Sequence, residues 1–377
     1  MAAMADDSDQ RIQNQPQQRI QAPGRGSSLP IANRFEQIQI ESDLEQLEPD
    51  DQIAELSKKV KTEYFTDESG TIVSQNNSPD VDFRFSLNPY RGCAHGCSYC
   101  YARPTHEYLG FNAGIDFESK IIIKPDAPRL FKKWLSRPSW KSSVEPIMLS
   151  GVTDCYQPCE KKLELTRQCL EIALDARQPM RITTKNAMVR RDVDILSEMA
   201  KLNLICVTIS VSSLDQSLIK IMEPRSSSPA ARLDAISVLA QAGVPVKVLA
   251  APVIPAVNDE EIPEILRAVS KAGATIAGYV MLRLPLAVEP VFLDWVDRHF
   301  PDRLEKITGR LKSLGDGKLY DSEFKSRMKG KGIWAQQIGN LFATICLTTG
   351  LKRSLPKLDC DSFRGCAAES GRQMDLF

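Results

Sequence analysis

Val81-Asp-Phe-Arg-Phe-Ser-Leu87-Asn-Pro-Tyr-Arg-Gly92-Cys93-Ala-His-Gly-Cys97-Ser-Tyr-Cys100 joins two patterns in one stretch. Val81, Phe83, Phe85 and Leu87 alternate with Asp82, Arg84 and Ser86, the period of two expected of a strand. That strand runs into a loop where Cys93, Cys97 and Cys100 crowd together, with Gly92 and Gly96 permitting the sharp backbone. A structural zinc usually pairs two cysteine knuckles, and no second knuckle stands nearby, although His95 or a distant cysteine could complete such a site. A cubane iron-sulfur cluster held by three cysteines leaves one iron open, and the spacing favours it.

Downstream, apolar runs recur at 146–152, 180–184, 205–211, 246–253 and 275–284. Helical patterns fill the intervals at 160–176, 190–202, 230–242, 259–272 and 288–299. With the first strand, this gives six strand-helix units. Strands apolar on both faces and alternating with helices predict a parallel sheet with right-handed crossovers, either open or closed into a barrel. Both architectures place chemistry at the C-terminal ends of the strands. Candidate residues stand there: Ser150 to Tyr156 after the second run, Lys185 after the third, Ser210 at the end of the fourth and Arg283 after the sixth.

Composition is that of a globular enzyme, with 42% hydrophobic and 25% charged residues, which excludes a wholly disordered or membrane-embedded chain. Lys and Arg number 48, as do Asp and Glu, so no net field draws the whole molecule to nucleic acid or an anionic membrane. The charge is uneven, however. Residues 1–57 carry eleven acidic against four basic residues and are rich in Gln, which predicts a disordered tail; Arg25 to Glu36 within it, anchored by Phe35, is a candidate for docking on the body. Residues 58–300 form the predicted core domain, and 301–377 a basic, α-rich extension. The acidic start lacks the features of a secretory or transit leader. With ten cysteines spaced as metal ligands, this predicts a cytoplasmic protein without membrane contact. The stretch 238–257 contains Lys247, Gly243 and prolines, and reads as a helix end followed by a buried strand rather than a membrane span.

The CxxxCxxC loop with an aromatic before its third cysteine, followed by six strand-helix units, resembles the radical S-adenosylmethionine (SAM) superfamily. Asn88-Pro-Tyr-Arg-Gly-Cys93, Cys100-Tyr-Ala-Arg103, Thr153-Asp-Cys-Tyr-Gln-Pro158 and Glu223-Pro-Arg225 look like the SplB-like proteins related to spore photoproduct lyase, over roughly residues 60–377. The resemblance implies an α/β fold, a partial (β/α)6 TIM-like barrel. It implies a 4Fe-4S cluster on Cys93, Cys97 and Cys100 whose fourth iron is chelated by SAM, which the reduced cluster cleaves to a 5′-deoxyadenosyl radical. By position, Tyr99 would lie near the adenine, Ser150 and Gly151 near the SAM amino group, and Lys185 and Ser210 at its carboxylate. Glu223, Arg225 and Arg232 would form an ion-pair network bracketing the site, or a surface pairing of no energetic weight. The lyase's hydrogen-donating cysteine is matched here by Gly151. Cys155 is therefore either a displaced donor or a packing residue, with Tyr156 a second candidate to end the radical. Cys169, Cys206 and Cys346 read as core.

Residues 301–357 hold twelve Lys/Arg against five Asp/Glu, including Arg327, Lys329 and Lys331, the kind of cluster that binds phosphate backbones or merely faces solvent. The leading expectation is a radical enzyme acting on nucleic acid, in lyase-like DNA repair or base modification, fed by an electron donor such as flavodoxin or ferredoxin. The rivals are a non-catalytic iron-sulfur or zinc protein that binds a partner, and a radical enzyme acting on a peptide. The ending Gln373-Met-Asp-Leu-Phe377 resembles the peptide by which bacterial repair proteins bind the DNA sliding clamp.

Overall fold

The computed structural model describes residues 19, 20, 22–35 and 60–366. The clamp-like ending Gln373 to Phe377 and most of the acidic tail lie outside the described residues. Among the described residues, ten strands form two sheets. β1 (Glu63–Thr66), β4 (Tyr90–Arg91) and β5 (Lys120–Ile123) make a small sheet in the order β1-β5-β4. The large sheet has the order β10-β9-β8-β7-β6-β3-β2, from β2 (Val73–Gln75), β3 (Phe85–Leu87), β6 (Ile147–Leu149), β7 (Met180–Thr184), β8 (Ile205–Ser210), β9 (Val246–Val253) and β10 (Ile276–Met281). From β3 to β10 every pairing is parallel, which gives the six strands of a partial (β/α)6 barrel; β2 adds an antiparallel edge that its polar Val-Ser-Gln sequence does not announce.

One face of the strands packs on helices. Ile182, Val207, Ile209, Val248, Ala250, Ala277 and Tyr279 join a single apolar core with the helices Leu165–Ala176, Val193–Lys201, Pro229–Gln241, Ile262–Lys271 and Gly332–Thr349. The alternate residues, Thr183, Thr208, Ser210, Lys247, Leu249 and Gly278, project from the other, concave face. That face is therefore markedly polar, where the sequence pattern predicts strands apolar on both sides. The predicted helix at 160–176 is interrupted at Glu164, whose φ of 53° ends one turn and starts the helix Leu165–Ala176.

The two edges of the large sheet are tied together. The segment around Ser326–Met328 crosses β10, where the Lys329 Nζ donates to the Tyr279 carbonyl at 2.7 Å. From there Arg327 reaches the turn between β2 and β3, pairing with Asp80 and donating to the Ser78 Oγ at 2.8 Å. At the N-terminal ends of the strands, the chain from 351 to 366 forms a floor: the Ala277 amide donates to the Lys352 carbonyl at 2.8 Å, and Leu355 and Leu358 pack on Cys206 and Ile276. The C-terminal region is helical, with Leu304–Leu314 and Gly332–Thr349, the second stacking Phe342 on Tyr279 at 4.7 Å. Arg25 to Phe35 lies against the body, where Leu29 and Ile31 are buried with Ala113, Ala287 and Val291. Among the described residues, no helix is long and apolar enough to cross a membrane.

Candidate active site

The cysteine loop leaves β4 at the C-terminal end of the barrel strands. Gly92 and Gly96 take φ values of 72° and 65°, as a loop turning this sharply requires. Its backbone is held from several sides: the Cys93 amide donates to the Phe117 carbonyl at 2.9 Å, the Thr153 Oγ1 to the Gly92 carbonyl at 2.6 Å, and the Ala94 amide to the Gln157 Oε1 at 3.0 Å. Behind it, the fully buried Arg103 donates Nη2 to the Cys97 carbonyl at 2.8 Å and pairs with Glu118 at 2.9 Å. The amides of Gly26 and Ser27 donate to the same carboxylate at 2.9 and 2.8 Å. Gly26 packs so closely that a Cβ there would stand 1.7 Å from the Gly96 carbonyl oxygen.

Cys93 and Cys97 are buried and Cys100 is half-buried, all as free thiols. Burial and then the neighbouring Cys93 push the Cys100 thiol up to about 11, and burial raises the Cys97 thiol as well. A bound cationic centre would convert these thiols to thiolates. Among the described residues, no three His, Cys, Asp or Glu side chains converge as one metal ion demands. The loop's thiols fit a polynuclear cluster, in which each cysteine binds its own iron, better than a lone zinc with bonds of about 2.3 Å.

The strand ends after β7 and β8 face this loop. The Lys185 Nζ donates to the Ser210 Oγ at 2.7 Å and lies 5.7 Å from the centroid of the Tyr99 ring. Ser210 in turn donates to the Ala251 carbonyl at 3.1 Å, so one hydroxyl orients the lysine against the sheet. Glu223, fully buried, accepts from the Tyr99 hydroxyl, from the Ser212 Oγ at 2.5 Å and from the Ser226 Oγ at 3.2 Å, and pairs with the equally buried Arg232. The Lys185 ammonium stands 4.0 Å from the same carboxylate. Two of the three predicted network members thus form a buried pair, not a surface one. Arg225 turns away, its guanidinium donating to the Thr62 Oγ1 at 3.0 Å.

Asp154 is the second organising carboxylate. It accepts from the Thr184 Oγ1 and the Lys185 amide, both at 2.8 Å, and from the Tyr156 amide at 2.9 Å. His95 Nδ1 lies 3.4 Å from it, and the other ring nitrogen meets the Asn186 Nδ2 at 3.2 Å. Burial opposes charge on His95, but Asp154 outweighs it, and with Cys93 lifts the imidazole to about 10. His95 thus links the cysteine loop to the strand ends, a role its sequence position suggested only as an extra metal ligand. Ser150, at φ 79°, accepts from the Cys155 amide at 2.8 Å, and the Gly151 carbonyl accepts from the exposed Tyr101 hydroxyl at 2.8 Å. Gly151 also lies against Ser86, whose Cβ would be 3.0 Å from an added Cβ.

Around one end of the barrel, then, stand Cys93, Cys97, Cys100, Tyr99, Ser150, Gly151, Lys185 and Ser210. Cys155 and Tyr156 lie one layer back. Cys155 is sealed in the main core, and burial, then Asp154, hold its thiol well above the usual range. The Tyr156 hydroxyl donates to the Asp192 Oδ2 at 3.0 Å, inside a network with Arg167 and Arg191. Tyr101, marked in the sequence only as part of the Cys100-Tyr-Ala-Arg103 motif, is exposed at the mouth. The basic run 327–331 is largely neutralised: Arg327 by Asp80, and Lys331 by Asp321 and Glu323.

The family model of the radical SAM superfamily matches residues 87–269. An uncharacterized protein of Mycobacterium tuberculosis is 34% identical over 232 residues, 61% of this chain and 68% of that protein. One of Methanocaldococcus jannaschii is 27% identical over 250 residues, 66% of this chain and 88% of its own length. Among solved structures, a variant of spore photoproduct lyase superposes with a TM-score of 0.57 at 16% identity, covering 85% of this chain and 87% of that one. Another, with bound SAM and dinucleoside spore photoproduct, gives 0.55 at 15% identity, covering 78% and 82%.

Proposed function

Because the chain belongs to the radical SAM superfamily, we propose that Cys93, Cys97 and Cys100 hold its 4Fe-4S cluster and that its substrate is nucleic acid, in repair or modification of a base. Members of the superfamily are enzymes that use this cluster and SAM; together, when bound, these supply a 5′-deoxyadenosyl radical. The observation that carries the reading is the Lys185–Ser210 pair, held at 2.7 Å beside Tyr99 and opposite the cysteine loop.

Lys185 offers the SAM carboxylate a point charge, and Ser210 fixes where that charge stands. Glu223 keeps the Tyr99 ring in place through its hydroxyl, presenting one face of the ring to an adenine. Asp154 ties the Lys185 backbone and His95 to one carboxylate, so the strand end and the cysteine loop keep their separation. The Gly26–Glu118–Arg103 clasp seals the rear of the loop from water. Nucleic acid as substrate draws support from the polar concave face and from a lyase of the same fold that carries a dinucleoside. An electron donor such as flavodoxin or ferredoxin would reduce the cluster.

The test is anaerobic reconstitution with iron and sulfide, reduction with dithionite, and chromatography for 5′-deoxyadenosine. Wild type should form it from SAM. Substituting Ala for Cys93, Cys97 or Cys100 should remove both iron and product. A fully iron-loaded wild-type protein that never cleaves SAM would defeat the proposal.

A further inference from the structure

The cations around the barrel mouth are mostly paired: Arg232 with Glu223, Arg103 with Glu118, Arg327 with Asp80. Arg283, two residues beyond the end of β10, differs. Among the described residues it forms no ion pair. Its Nη1 finds only the thioether sulfur of Met328, at 3.4 Å, and its buried Nε has no partner. A thioether is a weak acceptor, and a guanidinium N–H shut away from water without an oxygen acceptor is costly. Asp80 is the acid whose field Arg283 feels, and it is already engaged by Arg327 and by the Lys325 amide at 2.5 Å.

The surroundings favour an anion. Deeper along the concave face, toward the N-terminal strand ends, Lys247 lies against Gly278 and has no ion pair among the described residues. The Lys329 ammonium lies over the Tyr279 ring and donates to the Tyr279 carbonyl; loss of solvation, then Arg353 and Lys247, push it down to about 8. Arg283 itself lies over the Tyr101 ring, 5.1 Å from its centroid, and Tyr101 directly follows the third cysteine. Here an under-satisfied guanidinium, an exposed aromatic ring and the radical site share one mouth.

We propose that Arg283 receives a backbone phosphate of a single-stranded nucleic acid whose neighbouring base enters the concave face past Tyr101. This rests on the nucleic-acid reading above and adds the contact that selects the polymer. A phosphate would give the Nη groups the oxygen acceptors they lack, in the forked geometry guanidinium prefers. Cation and aromatic ring side by side are what sequence-tolerant single-strand binding uses.

The experiment measures binding of a labelled single-stranded oligodeoxynucleotide to the iron-loaded, SAM-bound protein by fluorescence anisotropy across a salt series. Arg283→Gln should weaken binding about tenfold and flatten the slope of log affinity against log salt by about 0.7, one phosphate's share. Arg283→Lys should restore the slope and only part of the affinity. Iron content and thermal melting establish that each variant is folded, and 5′-deoxyadenosine formation without oligonucleotide tests the radical reading separately. Equal binding and equal slope in Arg283→Gln would overturn the proposal. So would an acidic peptide binding in an Arg283-dependent way where the oligonucleotide does not, or competition by inorganic phosphate alone without any oligonucleotide binding.

Discussion

Glu223→Gln changes the size of the side chain hardly at all and removes one buried charge. In the folded chain this carboxylate accepts from Tyr99, Ser212 and Ser226 and pairs with Arg232, which is 1% exposed. Burial alone would raise its pKa, but Arg232, Lys185 and the hydroxyls pull it from 4.5 to about 2. At about 1.4 kcal/mol per pH unit, that difference corresponds to about 3 kcal/mol of stability. The same figure follows from Arg232, since stripping one partner from a buried ion pair costs about 3–5 kcal/mol. A depressed carboxyl pKa stabilises fully above the unfolded value and loses that contribution as pH falls through the folded one. We therefore expect Glu223→Gln to unfold in urea, as apoprotein at neutral pH, with about 3 kcal/mol less free energy than wild type. The gap should narrow as pH falls from 4.5 toward about 2. A loss under about 1 kcal/mol would refute the reasoning, as would a gap that stays constant in acid, because either would mean that Arg232 does not depend on this carboxylate.

Lys185→Ala should weaken SAM binding tenfold or more in calorimetry, about 1.5–3 kcal/mol for a charged hydrogen bond, and Ser210→Ala by less, since water can replace a hydroxyl; unchanged affinity in both would remove the pair from the SAM site. Gly26→Ala pushes a methyl to within 1.7 Å of the Gly96 carbonyl, backbone against backbone, so neither side can yield. It should lower the melting temperature by a cost of about 1–3 kcal/mol and hasten iron loss in air, and wild-type iron retention would contradict the clasp. Arg232→Met paired with Glu223→Gln should recover part of the stability that Glu223→Gln loses alone, because no unpaired charge remains buried; a double variant weaker than the sum of the singles would contradict this.

The barrel was legible where apolar runs were long. Met180–Thr184 and Val246–Val253 match the predicted runs at both ends, because each is a β-rich stretch bounded by turn residues. The small sheet escaped notice since β1 is Glu-Tyr-Phe-Thr, exposed throughout, and carries no burial pattern. The cysteines, Lys185 and Ser210 could be singled out because motif and strand end coincide, and Glu223 through its Glu-Pro-Arg motif after the helix Gln216–Met222. Glu118 could not. Its importance comes from contacts made by Arg25 to Ser27 and Arg103, distant in sequence, and nothing in Asp-Phe-Glu-Ser marks it. Arg283 was visible only as a charge at a strand end, and its lack of partners is a tertiary fact.

The clasp on the cysteine loop also fixes an order of events during synthesis. Its near half, Arg25 to Ser28, leaves the ribosome before the loop does. The far half is late: the Ser28 Oγ donates to the Asp294 Oδ2 at 2.7 Å, and the Arg298 Nη2 to the Gly26 carbonyl at 3.2 Å. Translation proceeds at about 5–20 residues per second, so the roughly 200 residues from the loop to these partners take about 10–40 seconds to emerge. The Glu118 and Arg103 contacts to Gly26 and the loop can therefore form early, while the outer tie to Gly26 and Ser28 awaits release of the helix Val288–His299.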